Sequence, residues 1–277
     1  MKKNKAVAGL LVALLGVLLF AGCTGTNDGG QQKETLTVAG STTVQPIAAK
    51  AAEKYMEKKT GVVVSVQGGG SGTGIKMVAE GSADIGTSSR ELSADELKAN
   101  PDLKPYEIAA DGIAVIVHPA NTLADLTKAQ VKDIFSGKIK NYKELGGPDK
   151  EIVVIIRETG SGTRTSFEEM LMDKGKTPNS EGAEQQGSNG AVKASILSNP
   201  NAIGYVGEGF VDSSVKALKI EGVAPTKETI KAGTYPVSRK LYMITKGEAS
   251  GKTKGYIDYI LSEEGQKIVE EEGFVRI

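Results

Sequence analysis

The sequence predicts an α/β protein, and three observations lead there. Short apolar runs of strand character, such as Ile152-Val153-Val154-Ile155-Ile156, alternate with segments whose apolar residues recur at helical spacing. The passages from one to the other are repeatedly rich in glycine, serine and threonine, as at Gly160-Ser161-Gly162-Thr163. About 250 residues follow the N-terminal leader, enough for one large α/β domain or two smaller ones.

The chain opens on Lys2, Lys3 and Lys5, then an apolar run from Ala6 to Ala21, then Gly22-Cys23 and a polar stretch to Gln32. The run is short for a membrane span and ends in small residues, so residues 1–22 read as a secretory signal peptide. Phe20-Ala21-Gly22-Cys23 resembles a lipobox, in which Cys23 takes a lipid and becomes the new N-terminus, although Phe20 stands where leucine is usual. An ordinary signal with an incidental cysteine is the other reading. Residues 23–34 are then a lipidated cysteine and its tether. Cys23 is the only cysteine, which excludes a disulfide within the chain and any cysteine-based metal site.

Lysine and arginine number 34, as do aspartate and glutamate; residues 1–22 hold three lysines and no acid, leaving 31 against 34. A slightly acidic chain offers no basic face for nucleic acid, and without tryptophan it has no obvious stacking platform. Any anion it binds must be attracted by locally aimed N–H groups.

Thr35-Leu36-Thr37-Val38-Ala39 reads as the first strand, and Ile47, Ala51 and Tyr55 mark one face of the helix after it. Val62-Val63-Val64-Ser65-Val66 is a second strand, followed by a short helix with Ile75, Val78 and Ala79. Ser93-Ala94-Asp95-Glu96 and Thr127-Lys128-Ala129-Gln130 have the form of capping boxes, the latter opening a helix with Val131, Ile134 and Phe135 inward. Gly112-Ile113-Ala114-Val115-Ile116-Val117 is apolar throughout, as a central strand is, and Asp111-Gly112 marks a crossing into a second lobe. Ala191 to Leu197 and Ala202 to Val206 continue the alternation. Lys240 to Thr245 is a strand returning to the first lobe, closed by helices around Tyr256–Leu261 and Glu263–Glu271.

Four turns bring glycine and hydroxyl residues to the apparent start of a helix: residues 40–43, 70–74, 86–90 and 160–163. Plain helix capping accounts for any one of them. Four together, with Arg90 and Arg157 attached to two, point to a shared anion cradle, because helix N-termini present unpaired N–H groups and partial positive charge. Arg157 adds a planar fork suited to a tetrahedral oxyanion. The turns thus nominate Ser41, Ser88, Arg90 and Glu158 beside the residues named below.

The segments Ala39-Gly40-Ser41-Thr42-Thr43-Val44, Gly69-Gly70-Ser71-Gly72-Thr73-Gly74, Ala83 to Arg90 and Arg157-Glu158-Thr159-Gly160-Ser161-Gly162-Thr163 together resemble the phosphate-binding proteins of phosphate-specific ABC transporters. Ser188-Asn189-Gly190-Ala191-Val192 and Asn201 to Gly207 are similar to that family too. The resemblance runs from about residue 35 to the C-terminus. It implies a two-lobed periplasmic-binding-protein fold with two crossover hinge strands (type II), lobe one being 35–111 plus 240–277 and lobe two 112–239. It implies capture of inorganic phosphate by Thr42, Thr43, Ser71, Ser89, Arg157, Ser161, Gly162 and Thr163, and delivery to an ABC permease by a monomer, lipid-anchored through Cys23 outside the cytoplasmic membrane. No cofactor, metal or nucleic acid enters. Longer family members carry aspartate where this chain has Ser89, a carboxylate that accepts phosphate's proton and so rejects sulfate. Glu158 or Asp111 stands as an alternative acceptor, unless Glu158 is held by Arg157 or Arg164. The same fold tuned to sulfate, arsenate or molybdate, or a sensing or adhesive surface lipoprotein, is the runner-up.

An enzyme has little room here. His118 is the only histidine, at the end of an apolar strand before Pro119. Neither Ser71 nor Ser161 lies in Gly-x-Ser-x-Gly, and Ser213-Ser214-Val215-Lys216 meets only a four-residue pattern expected by chance. Residues 160–165 lack the Gly-Lys-Ser/Thr ending of a P-loop.

Overall fold

In the computed structural model, which describes residues 33–277, β1 (Glu34–Gly40) leads into α1 (Gln45–Lys58), β2 (Val62–Gln67), α2 (Ser71–Ala79), β3 (Ile85–Ser88) and α3 (Ala94–Ala99). The signal peptide, Cys23 and all but the end of the tether expected from the sequence lie outside the described residues. β1 lies parallel between β2 and β3. α1 turns Ile47, Ala48, Ala51, Ala52 and Tyr55 inward, and Pro46 sits in its first turn, where a missing N–H breaks no helical bond. The Ser93–Glu96 capping box forms, with each side chain bonded to the other residue's N–H.

The chain continues as β4 (Leu103–Val117), β5 (Asp125–Leu126), α4 (Lys128–Phe135), β6 (Val153–Arg157), α5 (Gly162–Leu171), β7 (Glu184–Gln186), α6 (Asn189–Ser198) and β8 (Ala202–Gly207). β9 (Lys216–Ala217), β10 (Lys219–Ile220), α7 (Lys227–Lys231), β11 (Ser238–Lys246), α8 (Gly251–Leu261) and α9 (Glu263–Glu271) complete it. The Thr127–Gln130 capping box opens α4, whose Val131, Ile134 and Phe135 are buried as the sequence predicts.

Neighbouring strands follow the path β2-β1-β3-β11-β4-β8-β6-β7. β4 and β11 make it continuous. Leu103 to Gly112 pair antiparallel with β11, and Ile113 to Val117 pair with β8, so one strand belongs to both halves. The architecture is the two-lobed, two-crossover arrangement. Leu36, Ile47, Ile85, Leu241 and Tyr256 pack in one core, and Val115, Phe135, Phe167, Tyr205 and Leu218 in another. Val275, near the C-terminus, joins the second core and bridges to Ala110 at the crossing.

Three features differ from the sequence reading. β4 starts at Leu103, far ahead of the apolar run at 112–117, because pairing with β11 holds Lys104, Pro105 and Glu107 extended where local pattern gives no strand. The 86–90 turn is not the start of a helix: β3 ends at Ser88 and α3 begins only at Ala94. The two- and three-residue strands β5, β7, β9 and β10 are too short to carry a period.

Candidate functional site

The ends of β1, β3 and β6 and the starts of α1, α2, α5 and α6 converge between the lobes. Ser41 closes the turn ahead of α1, its Oγ accepting from the N–H groups of Thr43 (3.2 Å) and Val44 (3.4 Å). That leaves Thr42 and Thr43 with their hydroxyls in the cluster. Ser71, in the first turn of α2, accepts from Ser89 N–H (3.0 Å), and the two serine hydroxyls are 3.4 Å apart. Ser161 is the N-cap of α5, accepting from Arg164 N–H at 3.2 Å. The N–H groups of Gly162 and Thr163, in the first turn of α5, have no intrahelical partner by geometry. A Cβ on Gly162 would stand 2.7 Å from Ser89 Oγ and closer still to Ser71 Oγ, so only glycine lets this helix start approach both serines.

Arg157 ends β6 with 1% of its surface exposed. Its position is built from the second core: Tyr205 stacks on Phe167 with ring centroids 4.0 Å apart, and its phenol oxygen accepts from Arg157 N–H at 3.2 Å. Burial pushes the Tyr205 phenol far above its ordinary value, keeping it neutral. Arg157 Nε and Nη2 donate to the two oxygens of Glu158 at 2.8 and 2.9 Å, and Nη2 also reaches Thr42 Oγ1 at 3.2 Å. Nη1 is buried with no partner among the described residues.

The lobes touch through polar groups. Thr43 Oγ1 and Thr163 Oγ1 are 3.1 Å apart, Gly72 N–H donates to Gly160 O (2.9 Å), and Ser166 Oγ donates to Ser89 O (3.4 Å). A cleft of about 640 Å³ opens beside the cluster, lined from both lobes by residues including Arg90, Ser93, Thr165, Ser166 and Arg239.

Ten of the twelve nominated residues thus surround or support one buried point, and two do not present their side chains to it. Arg90 donates twice to Glu96 at 2.7 Å, locking the start of α3. Ser88 Oγ closes its own turn, donating to Arg90 O (2.7 Å) and accepting from Arg90 N–H (3.2 Å). The nomination of Arg90 rested on a helix start that lies further along the chain. Arg164 turns to Glu168 and to Arg157 O, so among the described residues the Glu158 carboxylate is held by Arg157.

Sequence reasoning missed Asn189 and Arg239. Asn189 opens α6, fully buried; it donates to Thr42 Oγ1 (3.1 Å) and Thr43 Oγ1 (3.0 Å) and accepts from Gly207 N–H (3.1 Å). It lies in Ser188-Asn189-Gly190, so a signal existed. Arg239 had none, being one of two adjacent basic residues, Arg239-Lys240, at the start of a strand. It pairs across β4 and β11 with Asp111, Nε and Nη2 lying 2.9 and 2.7 Å from Asp111 Oδ2, while Nη2 reaches Thr43 Oγ1 at 3.3 Å. Burial drives the Asp111 carboxyl up, against the pull of Arg239. Asp111 Oδ1 accepts from Glu208 N–H (2.9 Å), so both of its oxygens are engaged.

Burial, then repulsion from Asp111, raises the Glu208 carboxyl from 4.5 to about 7. A carboxyl raised on folding favours the fold fully below 4.5, and that contribution is lost as pH rises through about 7. Glu208→Gln is expected to flatten this part of the stability profile and to melt higher than wild type above neutrality. Parallel melting curves for the two proteins over this range would contradict the assignment.

A closed, donor-rich point between two lobes joined by crossing strands defines a periplasmic-type substrate-binding protein. Residues 25–264 match the model of the PBP superfamily domain. The chain is 39% identical to the phosphate-binding protein PstS of Bacillus subtilis over 100% of its own length and 95% of that protein. A phosphate ABC transporter substrate-binding protein from Clostridium perfringens, solved with bound phosphate, is similar at 42% identity and TM-score 0.84, covering 88% of this chain and 100% of that one. An ABC-type phosphate transport receptor from Vibrio cholerae matches at 35% identity and TM-score 0.73, covering 87% and 100%. The chain belongs to the phosphate-binding-protein family of ABC-transporter receptors.

Proposed function

We propose that phosphate is held where these turns converge, and that the chain captures it between the lobes and delivers it to an ABC importer. The observation that carries this reading is Arg157 Nη1: a buried guanidinium nitrogen with no partner among the described residues, on a side chain whose Nη2 reaches Thr42 beside the start of α1. Leaving such a group unpaired is costly, and a tetrahedral anion satisfies it. Thr42, Thr43, Ser71 and Ser89 supply hydroxyls from one lobe; Ser161, Gly162 and Thr163 supply the start of α5 from the other. Glu158 orients Arg157, and Arg90 and Ser88 shape the third turn without touching the anion.

In this reading lobe one spans 35–111 and 240–277, lobe two spans 112–239, and closure about β4 and β11 removes water and completes the shell. In this reading binding and release involve no bond-making. The monomer is anchored through Cys23 on the outer side of the cytoplasmic membrane; among the described residues no helix is long and apolar enough to cross one.

The test is titration calorimetry with phosphate and, separately, sulfate on protein stripped of endogenous ligand. A saturable one-to-one phosphate isotherm is expected. No heat with phosphate overturns the reading, and equal affinity for sulfate moves it to a general oxyanion receptor.

A further inference from the structure

Arg157 and Arg239 are buried, 1% and 7% exposed, and they are held in the same way. In each, Nε and Nη2 donate to a carboxylate, that of Glu158 for Arg157 and that of Asp111 for Arg239. In each, Nη2 also donates to a threonine hydroxyl, Thr42 for Arg157 and Thr43 for Arg239. Nη1 is in both cases buried with no partner among the described residues. We infer that Arg239 is a second guanidinium of the anion site, giving its Nη1 to the bound oxyanion as Arg157 does, an inference that rests on the phosphate reading above.

The planarity of the guanidinium fixes the direction of its five N–H bonds. Nη2 carries two of them: one runs parallel to Nε–H along the side of the group, and the other lies along the end shared with Nη1. Asp111 occupies the side of Arg239, since one carboxylate oxygen takes both Nε at 2.9 Å and Nη2 at 2.7 Å. Thr43 therefore lies off the end, and one Nη1 hydrogen leaves from that same end. Arg157 repeats the arrangement, with Glu158 along its side and Thr42 off its end.

The two threonines are consecutive, and Asn189 Nδ2 donates to both, at 3.1 and 3.0 Å. Thr43 Oγ1 is also 3.1 Å from Thr163 Oγ1 in the first turn of α5. The free end of Arg239 is thus placed against the contact between the starts of α1 and α5, although its backbone belongs to the crossing strand β11. Burial lowers the Arg239 pKa, and repulsion from Arg157 adds to this, against the pull of Asp111. The two cations are close enough to oppose each other. An oxyanion reached by both Nη1 atoms offsets that repulsion and fills two hydrogen-bonding positions that are otherwise costly to leave empty.

The other role open to Arg239 is a staple between β4 and β11 that never touches the ligand. Phosphate calorimetry on the full chain in detergent, with thermal melts as the folding control, separates the two. Arg239→Lys keeps a charge for Asp111 but has no second nitrogen to extend. Asp111→Asn with Arg239→Gln removes the pair without stranding a buried charge. Whichever of these variants folds is expected to bind phosphate at least about tenfold more weakly than wild type, the loss of one charge-assisted hydrogen bond. A staple alone predicts unchanged binding, so a folded variant within about twofold of wild type overturns the inference. Equal affinity of Thr43→Val and of Thr43→Val with Arg239→Lys would mean that Arg239 acts only through the threonine, and overturns the direct contact. No phosphate binding by wild type would sink the phosphate reading, and the role of Arg239 with it.

Discussion

Arg157→Ala is expected to abolish phosphate capture at working concentrations while leaving the chain folded. Charge-assisted hydrogen bonds contribute about 1.5–3 kcal/mol each, and Nη1 offers two hydrogens to a ligand, so the loss is on the order of 10² to 10⁴ in affinity. The substitution also frees Glu158, whose two oxygens are held by the same guanidinium, and leaves its negative charge beside the anion site. Repulsion adds to the lost attraction. Arg157→Lys keeps the charge without the fork that grips Glu158 and Thr42 together, and an intermediate loss is expected. Calorimetry on the three proteins, with thermal melts as a folding control, measures this. Near-normal affinity in the alanine variant would remove Arg157 from the site.

Asp111→Asn is expected to cost about 3–5 kcal/mol of folding stability, because it leaves Arg239 as an uncompensated buried charge. The two side chains are 0% and 3% exposed, and they face each other where the crossing strands pair. The location makes this pair more than a local contact. It joins β4 to β11 where the crossing strands pair, and Arg239 also reaches Thr43. Neutralising both partners, as Asp111→Asn with Arg239→Gln, should recover much of the stability, since the penalty arises from the unpaired charge. Urea unfolding of the single and double variants tests both halves. A single-variant loss below about 1 kcal/mol would mean that water reaches the pair.

How much of this was legible beforehand varied with the range of the information. The turn at 160–163 was fully so: a strand of β-branched residues, two glycines, a serine cap and a helical pattern all lie within one short stretch, and each is a local preference. The capping boxes at Ser93 and Thr127 were legible for the same reason. Arg90 misled because an arginine beside a serine-rich turn looks the same whether it serves a ligand or a carboxylate, and Glu96 lies only six residues on. Asn189 lay inside a flagged motif, yet its role depends on Thr42 and Thr43, more than a hundred residues away along the chain.

The sequence by itself determined the α/β class, the strand-to-helix turns and the residues able to give hydrogen bonds to an oxyanion, because caps, glycine conformations and apolar periods are properties of a few consecutive residues. Only the tertiary structure decided which of those donors remain unspent. It placed Asp111 against Arg239, gave Arg157 to Glu158 while leaving Nη1 without a partner among the described residues, and brought two donors each onto Thr42 and Thr43. A hydrogen-bonding group advertises its capacity in the sequence, but its remaining valence is what the partners brought in by folding leave over.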